Sequence, residues 1–183
     1  DLERFQCIFA KNEGAVTAPA TGLHFSREMM KRMEIYDIAS AFIALHCGLS
    51  NFRNTDVEDL TKHKMDSEEM FITRENCDIV NNAKDAGHKI VAVGTTVQRA
   101  IETAADTLGH INPFEGWTNK FIFPPYKFQV ADAMFSNFQL PESTLLMLTA
   151  AFGNFDYTMN AYKVALKEDY KFGPFGDVML IVD

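Results

Sequence analysis

Hydroxyl side chains stand at two predicted helix starts, where they could bind a ligand. Gly94, Thr95 and Thr96 directly follow an apolar segment, and Ser143 and Thr144 follow a proline. The first backbone N–H groups of a helix have no partner within it, and the positive end of the helix dipole lies there. Both starts therefore predict binding of an anion or a polar ligand group. An ordinary capped helix would account for the same residues.

Acid–base chemistry has two histidine candidates. His24 follows a loop of small residues and His46 follows a predicted strand, so each could hold or transfer a proton. A structural histidine bonded to the backbone is an equal alternative for either. The five histidines are never three or four residues apart, and Cys7, Cys47 and Cys77 form no C-x-x-C pair. We therefore expect no metal site.

The composition indicates one globular domain over residues 1–183, located in the cytoplasm. Hydrophobic residues make up 47% of the chain, and no apolar run approaches the roughly 18 residues of a membrane span. Three widely spaced cysteines argue against a disulfide framework and for a reducing compartment. The net charge of −8 argues against nucleic-acid binding by this chain alone, so another region or subunit would supply positive surface.

Alternating strands and helices would position the candidate residues. Apolar patterns predict strands at residues 5–9, 38–45, 68–72, 89–93 and 178–182, and a hairpin of residues 121–123 and 127–130 across Pro124 and Pro125. Capping residues predict helices after Ser26, Thr73 and Gly94, and at residues 142–152, with Pro141 at its start, and 156–170. The expected fold class is α/β, a mixed and largely parallel sheet or an open barrel with helices packed outside. Ligands would bind beyond the carboxyl ends of the strands.

Several common cofactor motifs are missing from the sequence. It contains no G-x-G-x-x-G, no G-x-x-x-x-G-K-[ST], no G-x-S-x-G and no H-E-x-x-H. Nicotinamide-binding, P-loop and serine-hydrolase functions therefore lose their main support.

An ordered set of other motifs resembles one known family. The matching family motifs are T-A-P-T-A-G-L-H-F at residues 17–25, L-H-V-G-A-G-T-F at 45–52, H-K-M-H-S-E at 63–68, V-G-T-T-S-V-R-T-L-E at 93–102, N-F-H-L-P-K-S-T-L-L-M-L from Asn137, and Y-G-D-A-M-L at 175–180. The similarity spans essentially the whole chain in order. The chain is identified as a member of the S-adenosylmethionine:tRNA ribosyltransferase-isomerase family, and it resembles the carboxyl-terminal half.

The resemblance implies an unusual use of S-adenosylmethionine as co-substrate, with no metal. The ribosyl group would move to 7-aminomethyl-7-deazaguanine in tRNA and rearrange to give epoxyqueuosine, releasing adenine and methionine. The sulfonium acidifies the adjacent 5′-carbon, so a positioned base could remove its proton. The implied catalytic residues are His24, His46 and Glu68. The implied co-substrate-binding residues are Thr21, Gly22, Gly94, Thr95, Thr96, Arg99, Asn137, Ser143 and Thr144.

The resemblance also implies partners that this chain does not contain. Full-length relatives carry an amino-terminal part with an inserted β-barrel domain, which is absent here, and tRNA would bind the full-length protein. The opening residues are neither an initiator start nor a signal sequence, so we expect the chain to be part of a longer product. The sequence predicts no oligomeric state. The 16 phenylalanines predict an exposed apolar surface beside Phe5 and around residues 121–128.

Some positions depart from the family motifs. The departing residues are Asp66, Asn119, Pro125, Gln139 and Glu142, together with residues 49–51 of a loop where the family has smaller residues. Gln139 cannot act as an acid or base where the family has histidine, and Glu142 reverses the charge of a lysine. The alternative hypothesis is therefore a divergent, non-catalytic paralogue that keeps a ligand pocket for binding or assembly.

Overall fold

The computed structural model describes residues 4–49, 55, 57 and 59–182. The α-helices of this part of the chain are α1 (Arg27–Ile35), α2 (Arg74–Asp85), α3 (Thr95–Ala104), α4 (Thr144–Phe152) and α5 (Phe155–Lys167). The strands are β1 (Ala44–Leu45), β2 (Glu68–Ile72), β3 (Val91–Val93), β4 (Phe114–Thr118), β5 (Ala133–Asn137) and β6 (Val178–Val182). Short 3₁₀ helices span Ala20–His24 and Leu60–Lys62.

Two separate three-stranded sheets form the scaffold. The first has the order β1-β2-β4, and both of its pairs are antiparallel. In the second, β5 lies between β3, which is parallel to it, and β6, which is antiparallel. The α/β class is confirmed. The largely parallel sheet and the open barrel are wrong, because only one pair among the described strands is parallel and the sheets do not join into a barrel.

The topology was missed because β4 has no apolar pattern. Its sequence is Phe-Glu-Gly-Trp-Thr, with a glycine at the centre and Trp117 65% exposed, as on the outer face of an edge strand. β4 pairs antiparallel with β2 along its whole length, from Glu68 opposite Thr118 to Ile72 opposite Phe114. When β4 is not recognised, the sequence offers β2 no antiparallel partner, and β2 is then assigned to a parallel sheet.

Helix α3 connects the two sheets through the hydrophobic core. It contacts β3 and β5 of the second sheet, β1 and β4 of the first, and α4. Seven of its ten residues are buried. Ala100 and Ile101 of α3 pack in the core with Met70 from the first sheet and Met134 from the second. The residues at the start of α3 are therefore held by most of the fold.

Local capping signals predicted the helix starts well. The Ser26 hydroxyl accepts the Met29 N–H at the start of α1, the Thr73 hydroxyl caps α2, and Gly94 leads directly from β3 into α3. Helix α4 is shorter than predicted: it begins at Thr144, so Pro141 lies outside it, in the turn before the helix.

Two predicted strands are wrong or much shorter. Residues 5–9 form turns, where Phe5 stacks on Phe175 and is partly buried. Of residues 38–45, only β1 pairs with another strand. The Phe42 N–H instead donates to the Asn76 side chain at 2.8 Å, and Phe42 itself is 47% exposed.

The predicted hairpin across Pro124 and Pro125 is also not a pair of strands. The two prolines are joined by a cis peptide bond. The buried carboxylate of Glu102 accepts the backbone N–H groups of Gln129 and Val130 at 2.9 and 3.1 Å, in place of a strand partner. The phenylalanines of residues 121–128 are only partly exposed, so the predicted apolar surface does not lie there.

Candidate functional site

A cavity of about 100 Å³ lies beside the start of α3. It is formed by the loop before the first 3₁₀ helix, the starts of α3 and α4, the end of β5 and a turn before β6. The lining residues are Thr17, Ala18, Pro19, Ala20, Thr21, Cys47, Gly94, Thr95, Thr96, Asn137, Gln139, Leu140, Ser143, Leu145, Gly173 and Pro174. Six of the predicted site residues thus reach one cavity: Thr21, Gly94, Thr95, Thr96, Asn137 and Ser143.

The Asn137 side chain fixes one wall of the cavity. Its Oδ1 accepts the Thr21 hydroxyl at 2.9 Å, and its Nδ2 donates to the Gly176 carbonyl at 3.1 Å. The same Nδ2 lies 3.4 Å from His24 Nε2, which accepts from it. The Asn137 amide thus contacts the imidazole of His24, and His24 is exposed beside the cavity.

The start of α3 offers backbone donors to the cavity. Gly94 has φ +104°, a conformation that favours glycine, and its N–H donates to the Phe135 carbonyl at 2.9 Å. A Cβ atom here would lie 3.5 Å from the Thr21 Cβ and Oγ1, an ordinary van der Waals distance, so the positive φ and not a lack of space favours glycine. With no capping side chain at Gly94, the N–H groups of Thr95 and Thr96 have no helical partner and adjoin the cavity.

The two hydroxyls at the start of α4 differ in what they can do. Ser143 Oγ donates to the Leu140 carbonyl at 2.7 Å and accepts the Leu146 N–H at 3.1 Å, so it serves as the helix cap. Thr144 Oγ1 is buried and has no hydrogen-bond partner among the described residues. It does not line the main cavity but a smaller neighbouring one.

Glu68 and Arg99 form a buried ion pair behind the main cavity. Arg99 Nη2 donates to Glu68 Oε2, while Glu68 Oε1 accepts the Gly48 N–H at 2.8 Å. Their side chains are 1% and 4% exposed. Burial lowers the pKa of the Arg99 guanidinium, against an opposite effect of Cys47. Arg99 Nη1 has no partner in the described part of the chain, and Arg99 lines the same smaller cavity as Thr144.

The remaining predicted residues lie outside the lining of both cavities. Gly22 is buried in the 3₁₀ helix below the main cavity. His46 follows β1, with Nδ1 4.0 Å from Glu69 Oε2 and with Nε2 buried and unpartnered among the described residues. Glu68 contacts Arg99 rather than the cavity. The catalytic roles of His24, His46 and Glu68 and the binding roles of the other residues stay predictions.

Sequence reasoning missed Cys47 and Gln139 as cavity residues. Cys47 directly follows His46 at the end of β1. Successive side chains of an extended segment point to opposite sides, so the position next to His46 was an available signal for Cys47. Gln139 was noticed only as a departure from a motif. Cys7, Cys47 and Cys77 form no disulfide bond among the described residues. Among the described residues, no group of three or more His, Cys, Asp or Glu side chains could hold a metal ion. No helix in this part of the chain is long and apolar enough to cross a bilayer.

Comparison with known proteins places the chain in a family. The family model described as "Queuosine biosynthesis protein" matches residues 1–181. The chain belongs to this queuosine biosynthesis family. A relative from Phocaeicola vulgatus, named S-adenosylmethionine:tRNA ribosyltransferase-isomerase, is 68% identical over 183 residues, covering 100% of this chain and 52% of the relative. A relative of the same name from Flavobacterium psychrophilum is 55% identical over 182 residues, with the same coverage.

A solved structure shares the fold of this queuosine-family chain. The crystal structure of S-adenosylmethionine tRNA ribosyltransferase from Thermotoga maritima matches with a TM-score of 0.73 at 36% identity, covering 88% of this chain and 51% of that one. The chain spans about half the length of the curated relatives it matches.

The departures from the queuosine-family motifs lie mostly away from the cavity. Of the five single departures, all within the described residues, only Gln139 lines it. Asp66, Asn119, Pro125 and Glu142 are exposed, and Glu142 has φ +59° in the turn before α4. Leu49 is exposed as well, whereas Ser50 and Asn51 lie outside the described residues.

Proposed function

We propose that this chain supplies part of the S-adenosylmethionine site of an enzyme that transfers and isomerises a ribosyl group onto 7-aminomethyl-7-deazaguanine in tRNA, giving epoxyqueuosine. The name of the relatives that are 68% and 55% identical over essentially the whole chain supports this activity. The single structural observation behind it is the convergence of the α3 start, Thr21, Asn137 and the α4 start on one cavity. Hydroxyl and N–H donors of this kind suit ribose and amino-acid groups.

The size of the cavity supports a shared site rather than a complete one. Pockets that enclose a small ligand usually measure about 300 Å³ or more, whereas this cavity measures about 100 Å³. The chain covers 52% of the relative from Phocaeicola vulgatus. The rest of the pocket, and the positive surface that tRNA needs, would come from the other half of a full-length protein.

His24 is the residue proposed to move a proton. None of the three candidates lines the main cavity, but His24 contacts the lining residue Asn137, whereas Glu68 pairs with Arg99 and His46 lies beside Glu69. The contact with Asn137 orients the imidazole ring, and an acid–base histidine requires a defined orientation. Glu68 is proposed to position Arg99, and His46 is retained only as a further candidate.

The test is release of adenine by the full-length protein from S-adenosylmethionine, with and without tRNA that carries 7-aminomethyl-7-deazaguanine. We expect release of adenine and methionine only with the modified tRNA, and formation of epoxyqueuosine by mass spectrometry of the digested tRNA. Binding of S-adenosylmethionine without any turnover would instead support the non-catalytic paralogue.

A pair of histidine variants tests the proposed role of His24. His24→Asn should lower kcat by about 100-fold or more, as loss of a general acid or base does, with little change in S-adenosylmethionine affinity. His88→Asn is the matched control, because His88 is exposed in the turn after α2. Equal activity of the two variants would remove His24 from the mechanism.

A further inference from the structure

Two unpartnered polar groups meet in the smaller cavity. Arg99 Nη1 and Thr144 Oγ1 have no hydrogen-bond partner among the described residues, and the two residues are 3% and 6% exposed. Both line the cavity beside Thr95, Lys120 and Leu145. A buried donor without an acceptor costs free energy, so two in one place indicate an acceptor that the described residues do not supply.

The smaller cavity adjoins the main one between two helix starts. Thr95 is the first residue of α3 and Thr144 is the first residue of α4. Thr95 and Leu145 line both cavities. The positive ends of two helix dipoles, each equivalent to about half a charge, therefore meet where the cavities join. A group bound in the smaller cavity can belong to a ligand whose remainder lies in the main one.

Size and charge define the chemistry of that group. The smaller cavity measures about 10 Å³, which is about the space of one oxygen atom. Glu68 already neutralises Arg99, and the Lys120 ammonium donates to the Glu102 carbonyl at 2.8 Å. An uncharged carbonyl does not cancel the Lys120 charge, so Lys120 and the two helix starts together leave about two positive charges near the cavities, which suits an anion. A carboxylate is chosen because the smaller cavity has space for one oxygen of the ligand and not for a whole tetrahedral phosphate.

We propose that the cavity between the starts of α3 and α4 is a carboxylate subsite, in which Arg99 Nη1 and Thr144 Oγ1 donate to one oxygen of the ligand held in the main cavity. This subsite rests on the proposed function, under which the carboxylate is that of the amino-acid end of S-adenosylmethionine. Glu68 then acts as a positioning residue, because it holds Arg99 with one nitrogen aimed at the ligand.

The test compares S-adenosylmethionine with its decarboxylated analogue by isothermal titration calorimetry on the full-length protein. The unmodified protein should bind S-adenosylmethionine about 10-fold to 100-fold more tightly, as expected for hydrogen bonds to a charged group. Thr144→Val removes the hydroxyl but keeps the shape. It should weaken S-adenosylmethionine about 10-fold and leave the analogue unchanged.

Matched variants separate the subsite from general effects on folding. Thr144→Ser keeps the hydroxyl and should bind both ligands like the unmodified protein. Thr158→Val removes another buried hydroxyl that has no partner among the described residues, on α5 and outside both cavities, and should also leave both affinities unchanged. The comparison of the two ligands on unmodified protein needs no variant, so it holds even where Thr144→Val does not fold.

Each contrary result has a distinct meaning. Equal affinity for the two ligands overturns the subsite and leaves the proposed function intact. Competition by inorganic phosphate that Thr144→Val abolishes, combined with equal affinity for the two ligands, overturns the carboxylate assignment in favour of a phosphate. No binding of S-adenosylmethionine to the unmodified protein overturns the proposed function and the subsite together.

Discussion

At the residue scale, Asn137 is the side chain on which the cavity wall most depends. It is 2% exposed, and its amide meets a hydroxyl donor on one side and two acceptors on the other. An aspartate here would keep the acceptor for Thr21 but would turn an oxygen toward the Gly176 carbonyl and His24 Nε2. Position 137 therefore requires both the oxygen and the NH2 group of an amide, and a side chain of the same shape is insufficient.

This arrangement predicts that Asn137→Asp lowers the free energy of unfolding by about 1–3 kcal/mol, the cost of leaving buried polar groups unpaired. Urea denaturation at pH 7 measures it. Asn160→Asp, an exposed change on α5, is the control and should stay within about 0.5 kcal/mol. Equal stability of the two variants would show that the Asn137 amide is not bonded as described.

Gln98 is a second residue whose surroundings do not match its chemistry. It is 0% exposed, and neither Oε1 nor Nε2 has a partner among the described residues. Gln98→Met keeps the length of the side chain and removes the polar atoms, so we expect the free energy of unfolding to rise by about 1–3 kcal/mol. Thermal unfolding by circular dichroism measures the change.

The matched control for Gln98 is Gln129→Met. Gln129 is exposed and its side chain donates to the Lys127 carbonyl at 3.0 Å, so its replacement should change stability by no more than about 0.5 kcal/mol. A lower melting temperature of Gln98→Met would show that the amide finds a partner in solution.

Residue-scale prediction worked where the signal was local and failed where it was not. Gly94, Thr95 and Thr96 were found from a helix-start pattern that needs only neighbouring residues. Arg99 was expected at the co-substrate, yet its first partner is Glu68, which lies 31 positions away in the chain. No spacing rule reveals such a pairing, so only the fold could show that Arg99 opens into a separate cavity.

At the element scale, α5 holds the segment that precedes α4. The Tyr162 hydroxyl accepts the Gln139 N–H at 2.8 Å, and its ring packs against Phe138 and Phe172. Burial raises the pKa of Tyr162 to about 12, partly offset by that hydrogen bond. The neutral phenol is thus favoured in the folded protein.

The raised pKa of Tyr162 predicts how stability changes in alkali. A raised folded-state pKa contributes stability that is complete below the unfolded value of about 10 and is lost as the pH rises through the folded value. Urea titrations between pH 8 and 11.5 measure the free energy of unfolding, which should fall above pH 10. In Tyr162→Phe this free energy should fall less steeply with pH than in the unmodified protein. Tyr157→Phe, at a side chain that is 78% exposed, should follow the unmodified slope. Parallel slopes for all three proteins would contradict the buried phenol.

Helices were predicted correctly because the residues that begin and end a helix lie next to it in the sequence. The Ser26, Thr73 and Gly94 starts were correct for this reason. Strand pairing depends on distant partners, so β4 with its central glycine escaped detection. The buried Glu102 carboxylate accepts the backbone N–H groups of residues 129 and 130, which a neighbouring strand would otherwise bind. A sequence pattern contains no sign of this interaction.

At the scale of the whole molecule, the acidic charge limits what this chain can bind alone. Its net charge is −8, and tRNA binding requires clustered positive charge. We expect the separate 183-residue chain to bind tRNA weakly at near-physiological salt, and the full-length protein to bind it tightly with a steep salt dependence. Fluorescence anisotropy with labelled tRNA measures both, after circular dichroism has verified that the chain is folded.

The result for the separate chain decides where the positive surface lies. Tight binding by the 183 residues that weakens steeply with salt would place it within this sequence. Strongly exposed large apolar side chains are spread over the described surface and none of them belongs to residues 121–128; they include Tyr36, Leu108, Trp117, Tyr157 and Leu166. Whole-molecule features of this kind were the least predictable, because exposure depends on how every element packs.

The position of α3 has a consequence for the lifetime of the site. The helix that presents N–H groups to the cavity is also the one that joins the two sheets, with seven of its ten residues buried. Local opening in proteins follows regions of low contact density, and α3 is the opposite of such a region. The N–H donors beside the cavity should therefore stay in place for as long as the native state persists, so the cavity and the fold are lost together.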